Sequence, residues 1–174
     1  MLDDEVGAIR VGFDPDGAWS LTGLNTFFSM DKITTNFGWL DAGTIMHEFG
    51  HVLGLHHEHQ NPLGKPIQWD EEAVYAWAKQ AHGWTKEETY DNVLKKYDKD
   101  IINGIKYSKD TIMLYFFPPE LTLDGTGSKQ NLRLDYTDAK FFMSIMPGKD
   151  IDYVKWFEDN YDLKIVDEDD VKDR

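Results

Sequence analysis

The segment at residues 46–60, MHEFGHVLGLHHEHQ, constrains this chain most, because it places three histidines at metal-ligand spacing. His47 and His51 are four residues apart, so on a helix they share one face, with Cβ atoms about 5–6 Å apart. That separation lets two imidazole nitrogens reach one zinc ion at about 2.0–2.1 Å. Gly54 can end the helix in a left-handed conformation, after which the chain can return His57 as a third ligand. Three protein ligands and a fourth position left to water are typical of catalytic zinc, whereas structural zinc normally has four protein ligands.

Glu48 lies one residue after the first of these histidines, which places its carboxylate near a zinc-bound water and not among the zinc ligands. It is therefore the predicted general base. For a bare H-E-x-x-H the alternative is a helix that carries histidines and binds no metal, because short motifs recur by chance. The glycine and third histidine of the longer pattern favour zinc. The other two histidines of the segment, His56 and His59, are expected to be solvated or to lie behind the ligands.

These residues resemble the signature of the metzincin zinc endopeptidases, H-E-x-x-H-x-x-G-x-x-H followed by a Met-turn. The run HEFGHVLGLHHEHQNP is most similar to the astacins and related bacterial metalloproteases, in which a glutamate, here Glu58, directly follows the third histidine. Residues 110–115, DTIMLY, resemble the Met-turn of astacins and serralysins, with Tyr115 two residues after Met113. The resemblance covers about residues 6–147.

The resemblance implies roles for the residues around the zinc site. In astacins and serralysins the residue equivalent to Tyr115 can ligate zinc at rest and move to the transition state, so Tyr115 is expected to donate to the developing oxyanion. A core tyrosine is the alternative, because Leu114 and Phe116 beside it are apolar. Met113 is expected to pack beneath the zinc ligands without a chemical role. Glu58 corresponds to the astacin residue that senses the matured N-terminus, with a surface ion pair as the equal alternative.

The implied fold is a metzincin-like α+β fold with a twisted mixed sheet, an active-site zinc helix and a mainly helical or irregular C-terminal subdomain. We expect an N-terminal subdomain at residues 1–57, a C-terminal subdomain at residues 58–149, and an amphipathic segment with an acidic tail at residues 150–174. By resemblance, the irregular stretch at residues 116–131 lies near the wall of the primed-side pocket.

Alternating apolar residues predict three strands, at residues 6–13, 18–22 and 34–40, with residues 23–32 as a loop. The second strand is expected to be the antiparallel edge strand above the cleft, where an extended peptide can be added to the sheet. An ordinary hairpin edge is the alternative.

Helix-start signals and periodic apolar residues predict four helices, at about residues 44–53, 71–81, 85–97 and from Asp135 or Thr137 to Pro147. Asp70 is the predicted N-cap of the second helix, and Thr85 opens the third in capping-box form. The aromatic residues of the second and third helices are expected to lie in the core.

A metzincin sheet has five strands, and its first two precede the strand that residues 6–13 resemble. Only five residues precede Val6, so the first strand–helix–strand unit of the fold is expected to be missing, and the strand from Val6 to Phe13 would have an unpaired edge. We expect this edge to be covered by a partner chain, by self-association or by the amphipathic residues 151–161. The alternative is that the true protein is longer.

Composition limits the classes of partner. The 174 residues include 18 basic and 32 acidic side chains, a net charge of −14, which disfavours nucleic acids and anionic membranes. No apolar run is long enough to span a bilayer, and no signal peptide is visible, so secretion is expected only by resemblance, and a cytoplasmic location stays open. The absence of cysteine rules out disulfides and differs from animal astacins.

The sequence thus predicts an endopeptidase that uses zinc and Glu48 to hydrolyse a peptide or protein substrate. The rival hypothesis is a catalytically weak zinc-binding module that recognises a partner protein through the cleft. Glu48 favours the enzyme, because a binding role has no need of a general base.

Overall fold

The computed structural model describes residues 7–64, 67–100 and 107–145. They fall into two compact units that divide between Arg133 and Leu134. Among the described residues, the first unit contains a small sheet and four α-helices, and the second contains one α-helix, so the fold is α+β as predicted. No helix in these ranges is long and apolar enough to cross a membrane.

The sheet of the first unit has three short strands, β1 (Val11–Gly12), β2 (Trp19–Ser20) and β3 (Thr35–Asn36), in the order β1–β3–β2. β1 is parallel to β3, whereas β2 is antiparallel to it, so the sheet is mixed and β2 is an antiparallel edge strand, as predicted. Each strand is shorter than the sequence predicts.

Buried polar side chains hold this sheet and the turn between β1 and β2. The amide of Asn36 donates to the carbonyl oxygens of Asp14 and Gly17 at 2.8 and 2.6 Å, and its Oδ1 accepts from the Asp14 N–H at 2.9 Å. One asparagine therefore satisfies three backbone groups of the turn, which regular strand pairing would otherwise satisfy.

β1 is the other edge of the sheet in the described residues. Ile9, Val11 and Phe13 along this segment are 39%, 42% and 65% exposed. The proposed cover at residues 151–161 lies outside the described residues, as does Val6. That a segment or a second chain covers the edge therefore stays a prediction.

Residues 23–32, predicted as a loop, contain a short helix, α1 (Leu24–Phe28). The loop prediction was wrong here because a tertiary contact stabilises the turn. The hydroxyl of Thr26, which is fully buried, donates to the Leu21 carbonyl at 2.8 Å, and the N–H of Gly23 donates to the His51 carbonyl at 2.9 Å.

α2 (Ala42–Val52) carries the first two histidines of the motif and begins two residues earlier than predicted. Its N-cap is Asp41, whose Oδ1 accepts from the Thr44 N–H at 3.0 Å. The helix ends as the sequence predicts, because Gly54 has a φ of +99°. The N–H groups of Gly54 and Leu55 then donate to the carbonyls of His51 and Gly50, which closes the last helical turn.

α3 (Glu71–His82) has Asp70 as its N-cap, and α4 (Lys86–Thr89) begins with the predicted capping box between Thr85 and Glu88. α4 continues only as a π-helical turn at Tyr90–Leu94, so the predicted extension to residue 97 was wrong.

The early end of this helix has a tertiary cause. The side-chain amide of Gln60 donates to the carbonyls of Asp91 and Lys95 at 2.7 and 3.1 Å, and the Tyr97 N–H donates to the Gln60 carbonyl at 3.0 Å. These bonds replace the next helical turn with contacts to the segment that follows the zinc motif.

A cluster of buried apolar residues in the first unit, called the core below, contains Val74, Val93, Phe117 and Leu121. Side chains that pack against it include Trp69, Trp77, Trp84 and Leu94.

In the second unit, α5 (Tyr136–Ile145) is capped by Asp135, whose carboxylate accepts from the Asp138 N–H at 2.8 Å. Asp135 is therefore the cap, and Thr137 is not. The predicted end of this helix at Pro147 lies outside the described residues.

Candidate active site

Three histidines converge at the C-terminal half of α2. His47 and His51 share one helical face, and the turn after Gly54 brings back His57, so that one ring nitrogen from each residue lies within 4.8 Å of the other two. The Nε2 atoms of His51 and His57 are 3.0 Å apart. The structure thus brings together the three residues that the sequence singles out as metal ligands.

Backbone carbonyls orient two of these rings. His47 Nδ1 lies 2.8 Å from the carbonyl oxygen of Ile112, and His51 Nδ1 lies 2.8 Å from that of Leu55. A carbonyl only accepts, so each Nδ1 carries the proton and each Nε2 presents a lone pair. His47 Nε2 is buried and has no hydrogen-bond partner among the described residues. A set of imidazoles that includes a buried ring nitrogen with an unused lone pair fits zinc.

Burial keeps these imidazoles neutral. Burial lowers the pKa of His47, and it lowers that of His51 to about 4, with a smaller contribution from His47. His57 retains some surface exposure, yet burial of its ring and the nearby His51 hold its pKa well below the usual value. Neutral rings are the metal-binding form.

The zinc-free protein should lose stability on acidification. A histidine whose pKa is lowered on folding binds more protons when unfolded, so its contribution is present above pH 6.5 and is lost as the pH falls to about 4. Glu48 acts in the opposite direction, because its raised pKa stabilises the fold as the pH falls from about 7 to 4.5. Five histidines with a lowered pKa outnumber it, and the decrease of the pKa to about 4 at His51 and at His59 corresponds to about 3 kcal/mol for each residue. The other three are His47, His56 and His57, whose pKa burial also lowers.

We therefore expect a lower urea midpoint for the zinc-free protein at pH 5 than at pH 7, at an unchanged denaturant slope. An equal or higher midpoint at pH 5 would show that these rings are not buried in neutral form.

Backbone carbonyls of the predicted Met-turn, residues 110–115, contact the segment that carries the three histidines. The Ile112 carbonyl orients His47, and the Met113 carbonyl accepts from the Glu58 N–H at 3.0 Å, next to the third ligand. Asn131 braces the turn from outside, since its amide donates to the carbonyls of Lys109 and Thr111. No motif of the sequence marks Asn131, so its contribution is visible only in the structure.

Met113 is almost fully buried against α2, as expected of a packing floor. A Cβ atom added at Gly50 would collide with its sulfur atom. We expect Gly50→Ala to lower the free energy of unfolding by about 1–3 kcal/mol, the usual effect of overpacking. In a urea titration, Gly50→Ala combined with Met113→Val should lose less than the sum of the single changes. Strict additivity would contradict the contact.

Glu48 is only 5% exposed, and its Oε2 has no hydrogen-bond partner among the described residues. Burial raises the pKa of this carboxyl group to about 7. It lines the same cavity as His47 and Tyr115. A buried carboxyl with an unpartnered oxygen and a pKa near neutrality can accept and release a proton at physiological pH.

Tyr115 lies against the histidines. Its ring centroid is 5.3 Å from that of His47 at an interplanar angle of 15°, and 4.1 Å from that of His57. The residue is 38% exposed towards the cleft. Burial of the hydroxyl, with a smaller contribution from the charge of Glu48, raises its pKa, so the group stays protonated and can donate. Tyr115 thus lines the cavity beside the histidines instead of lying enclosed in the apolar core.

The other two histidines of the motif lie in different environments. His56 is exposed, with its ring 4.6 Å from that of Tyr97. His59 is completely buried behind the ligands, where its ring stacks on that of His57 at 5.4 Å and its Nε2 lies 3.0 Å from the Asn92 carbonyl. Neither belongs to the convergent triad.

Glu58 is held by the loop before the Met-turn. Its Oε1 accepts from the Ser108 N–H at 2.9 Å and from the Asn61 amide at 3.1 Å. The carboxylate thereby connects the segment after the third ligand to the approach of the Met-turn. Its predicted role as a sensor of the N-terminus stays a prediction.

The catalytic candidates line a cavity of about 710 Å³. Its rim near the sheet includes Asp16, Gly17, Ala18 and Trp39. Its far side includes Trp77, His82, Trp84 and Phe117, and residues of the irregular stretch, among them Gln130 and Asn131, complete it. Trp77 was predicted to be a core residue. Trp77 and Trp84 do pack on the core, but both also line the cavity.

Comparisons with known proteins agree with this geometry. The family model described as Astacin, a family of peptidases, matches residues 3–116. A solved structure of myroilysin is similar with a TM-score of 0.76 and 33% sequence identity, covering 83% of this chain and 76% of that chain. A crystal structure of myroilysin is similar with a TM-score of 0.54 and 32% identity, covering 83% and 68%. Comparison with curated proteins finds no match. The predicted resemblance is confirmed, and the chain belongs to the astacin family of metallopeptidases.

Proposed function

We propose that the protein is a zinc-dependent endopeptidase in which His47, His51 and His57 hold the metal and Glu48 is the general base. The observation that carries the proposal is the buried Glu48 carboxyl, which has an unpartnered oxygen among the described residues and lines the same cavity as His47 and Tyr115. Zinc, when bound, supplies Lewis-acid activation of water and of the peptide carbonyl at neutral pH.

The protein groups divide the remaining work. Glu48 accepts the proton of the attacking water and passes it to the departing amine, for which a pKa near 7 is well suited. Tyr115, which is protonated, stacks on His47 and contacts His57 at a tilted angle, and donates to the oxygen that becomes negative in the tetrahedral transition state.

β2 is suited to hold the substrate. It pairs with β3 on one side and with no second strand on the other in the described part of the chain. An extended peptide can add to this edge through backbone hydrogen bonds, which position the scissile bond while leaving side chains to the pockets. The rim residues Gly17 and Ala18, just before β2, line the cavity.

The test is hydrolysis of casein and of internally quenched peptides by the zinc-loaded protein, with and without a chelator. We expect cleavage within the peptide chain that a chelator abolishes and added zinc restores. A zinc-loaded, folded protein that binds these peptides without cleaving them would instead support the binding module.

Tyr115→Phe should lower kcat by about 10²-fold, the effect of losing one oxyanion donor, and leave KM little changed. Tyr90→Phe is the matched control, because Tyr90 is exposed and outside the cavity. A Tyr115→Phe variant with the kcat of the unmodified protein would exclude the hydroxyl from the transition state.

The family likeness also supports secretion, since astacin-family relatives are typically secreted. Detection of the protein in the culture medium and its absence from the cell fraction would test this part of the proposal.

A further inference from the structure

One side of the cleft is formed by rings that contact one another in series. We call Trp77, His82, Trp84 and Phe117 the aromatic wall; all four line the cavity of the catalytic candidates. The ring of Phe117 is 6.2 Å from that of Tyr115 and 6.4 Å from that of Trp77. His82 then lies 5.1 Å from Trp77 and stacks on Trp84 at 4.6 Å and 25°. The wall therefore begins beside the zinc ligands and extends away from them.

The aromatic wall is supported from behind. Phe117 belongs to the apolar core, and Trp77 and Trp84 pack against that core on one side and face the cavity on the other. Val93 of the core also lines the cavity. Side chains held in this way keep their orientation, so the wall is formed before a ligand arrives. Preformed, largely apolar cavities of about 300–1,000 Å³ are typical ligand sites.

Apart from the zinc site, the charged side chains of the cavity have one sign. They are the carboxylates of Asp16 and Asp41, and among the described residues no lysine or arginine lines the cavity. Asp41 is charged at neutral pH, because hydrogen bonds from Thr44 lower its pKa. Like charges in a substrate are disfavoured in such a cleft, whereas positive charges are attracted.

We propose that the aromatic wall binds an aromatic side chain next to the scissile bond, within substrates that are neutral or basic around that residue. This inference rests on the proposed endopeptidase function. Ring pairs at about 4.5–7 Å are favourable in edge-to-face and offset arrangements, which the spacing of the wall offers to an incoming ring. Burial of a phenylalanine side chain should raise kcat/KM by about 10–100-fold over alanine.

The experiment uses zinc-loaded protein and quenched peptides that are identical except for one residue beside the cleaved bond, which is Phe, Ala, Lys or Glu. Product masses identify the bond. We expect the Phe peptide to exceed the Ala peptide by about 10–100-fold in kcat/KM and the Glu peptide to be the poorest. The difference between Lys and Glu should decrease at high salt, since it depends on charge.

Substitutions of cavity residues test which side chains cause the preference for the Phe peptide. Trp84→Ala should bring the Phe-to-Ala ratio of kcat/KM close to 1. Ala81 is exposed on α3 and lines the cavity, so Ala81→Phe should fill the same space without disturbing the core. If the Trp84→Ala variant is unstable, Ala81→Phe provides the test of the aromatic wall. Asp16→Asn should raise kcat/KM for the Glu peptide. Phe28→Ala is the aromatic control, because Phe28 is exposed and outside the cavity, and its ratios should not change.

The outcomes separate the two proposals. Equal kcat/KM for the Phe and Ala peptides, a preference for Glu, or an unchanged ratio in both Trp84→Ala and Ala81→Phe would overturn the assignment of the aromatic wall while the endopeptidase stands. Failure of the folded, zinc-loaded protein to cleave any peptide would overturn both.

Discussion

Replacing His57 with alanine should release zinc and abolish peptide hydrolysis, whereas the same change at its neighbour His56 should do neither. His57 presents a ring nitrogen to the triad, 3.0 Å from that of His51, while His56 is exposed with its ring against Tyr97. Loss of one of three ligands removes a direct metal bond. Zinc affinity should fall by more than about 100-fold, the upper range for losing only a residue that supports a ligand.

Zinc content by mass spectrometry of the native protein, together with hydrolysis of a quenched peptide, checks this expectation. His56→Ala controls for the loss of an imidazole from this segment. One tightly bound zinc in His57→Ala, or its loss from His56→Ala, would contradict the ligand set of His47, His51 and His57.

Replacing Glu48 with glutamine should lower kcat by about 10²–10⁴-fold while zinc content stays near one per chain. Glutamine has the shape of glutamate and keeps the packing, but it cannot accept a proton from water.

The same substitution should also change the stability of the zinc-free protein. Burial raises the pKa of Glu48 to about 7, so ionisation opposes folding as the pH rises from 4.5 through 7. The neutral glutamine removes this penalty, and the zinc-free variant should be more stable at pH 8 by up to about 3 kcal/mol.

Single-turnover kinetics, zinc analysis and urea titration of the zinc-free protein at pH 8 measure these effects. Glu120→Gln is the control, since Glu120 is exposed and its replacement should leave all three unchanged. Turnover by a zinc-loaded Glu48→Gln variant at the rate of the unmodified protein would exclude Glu48 as the base. A variant that loses zinc would make Glu48 part of the metal site instead.

The local features of the chain could be predicted well from its sequence. The spacing of His47 and His51, the positive φ of Gly54 and the caps at Asp70 and Thr85 each depend on residues a few positions apart. Helical periodicity, glycine's conformational freedom and side-chain capping act over that range, so these features can be predicted from the sequence alone. The Met-turn could be predicted only from the family pattern, because no local rule gives its distance along the chain from the zinc motif.

Tertiary contacts decided the features that prediction missed. The motif does not distinguish His56 from His59; His59 is buried because the Asn92 carbonyl, 33 residues later, lies 3.0 Å from its ring nitrogen. Similarly, the helical segment that begins with α4 does not reach residue 97, because the side-chain amide of Gln60 donates to the carbonyls of Asp91 and Lys95.

Trp77 shows the same limit of sequence information most clearly. Its spacing on α3 correctly predicts burial against the core, but a helical period gives only the direction in which a side chain points. Whether that direction also opens onto the cleft depends on where the Met-turn, Phe117 and the end of α3 come together in space. Sequence alone was therefore enough to single out the three candidate metal ligands, because they are local to one helix and one turn. The walls of the cleft were decided by the packing of segments distant in sequence, which no local pattern encodes.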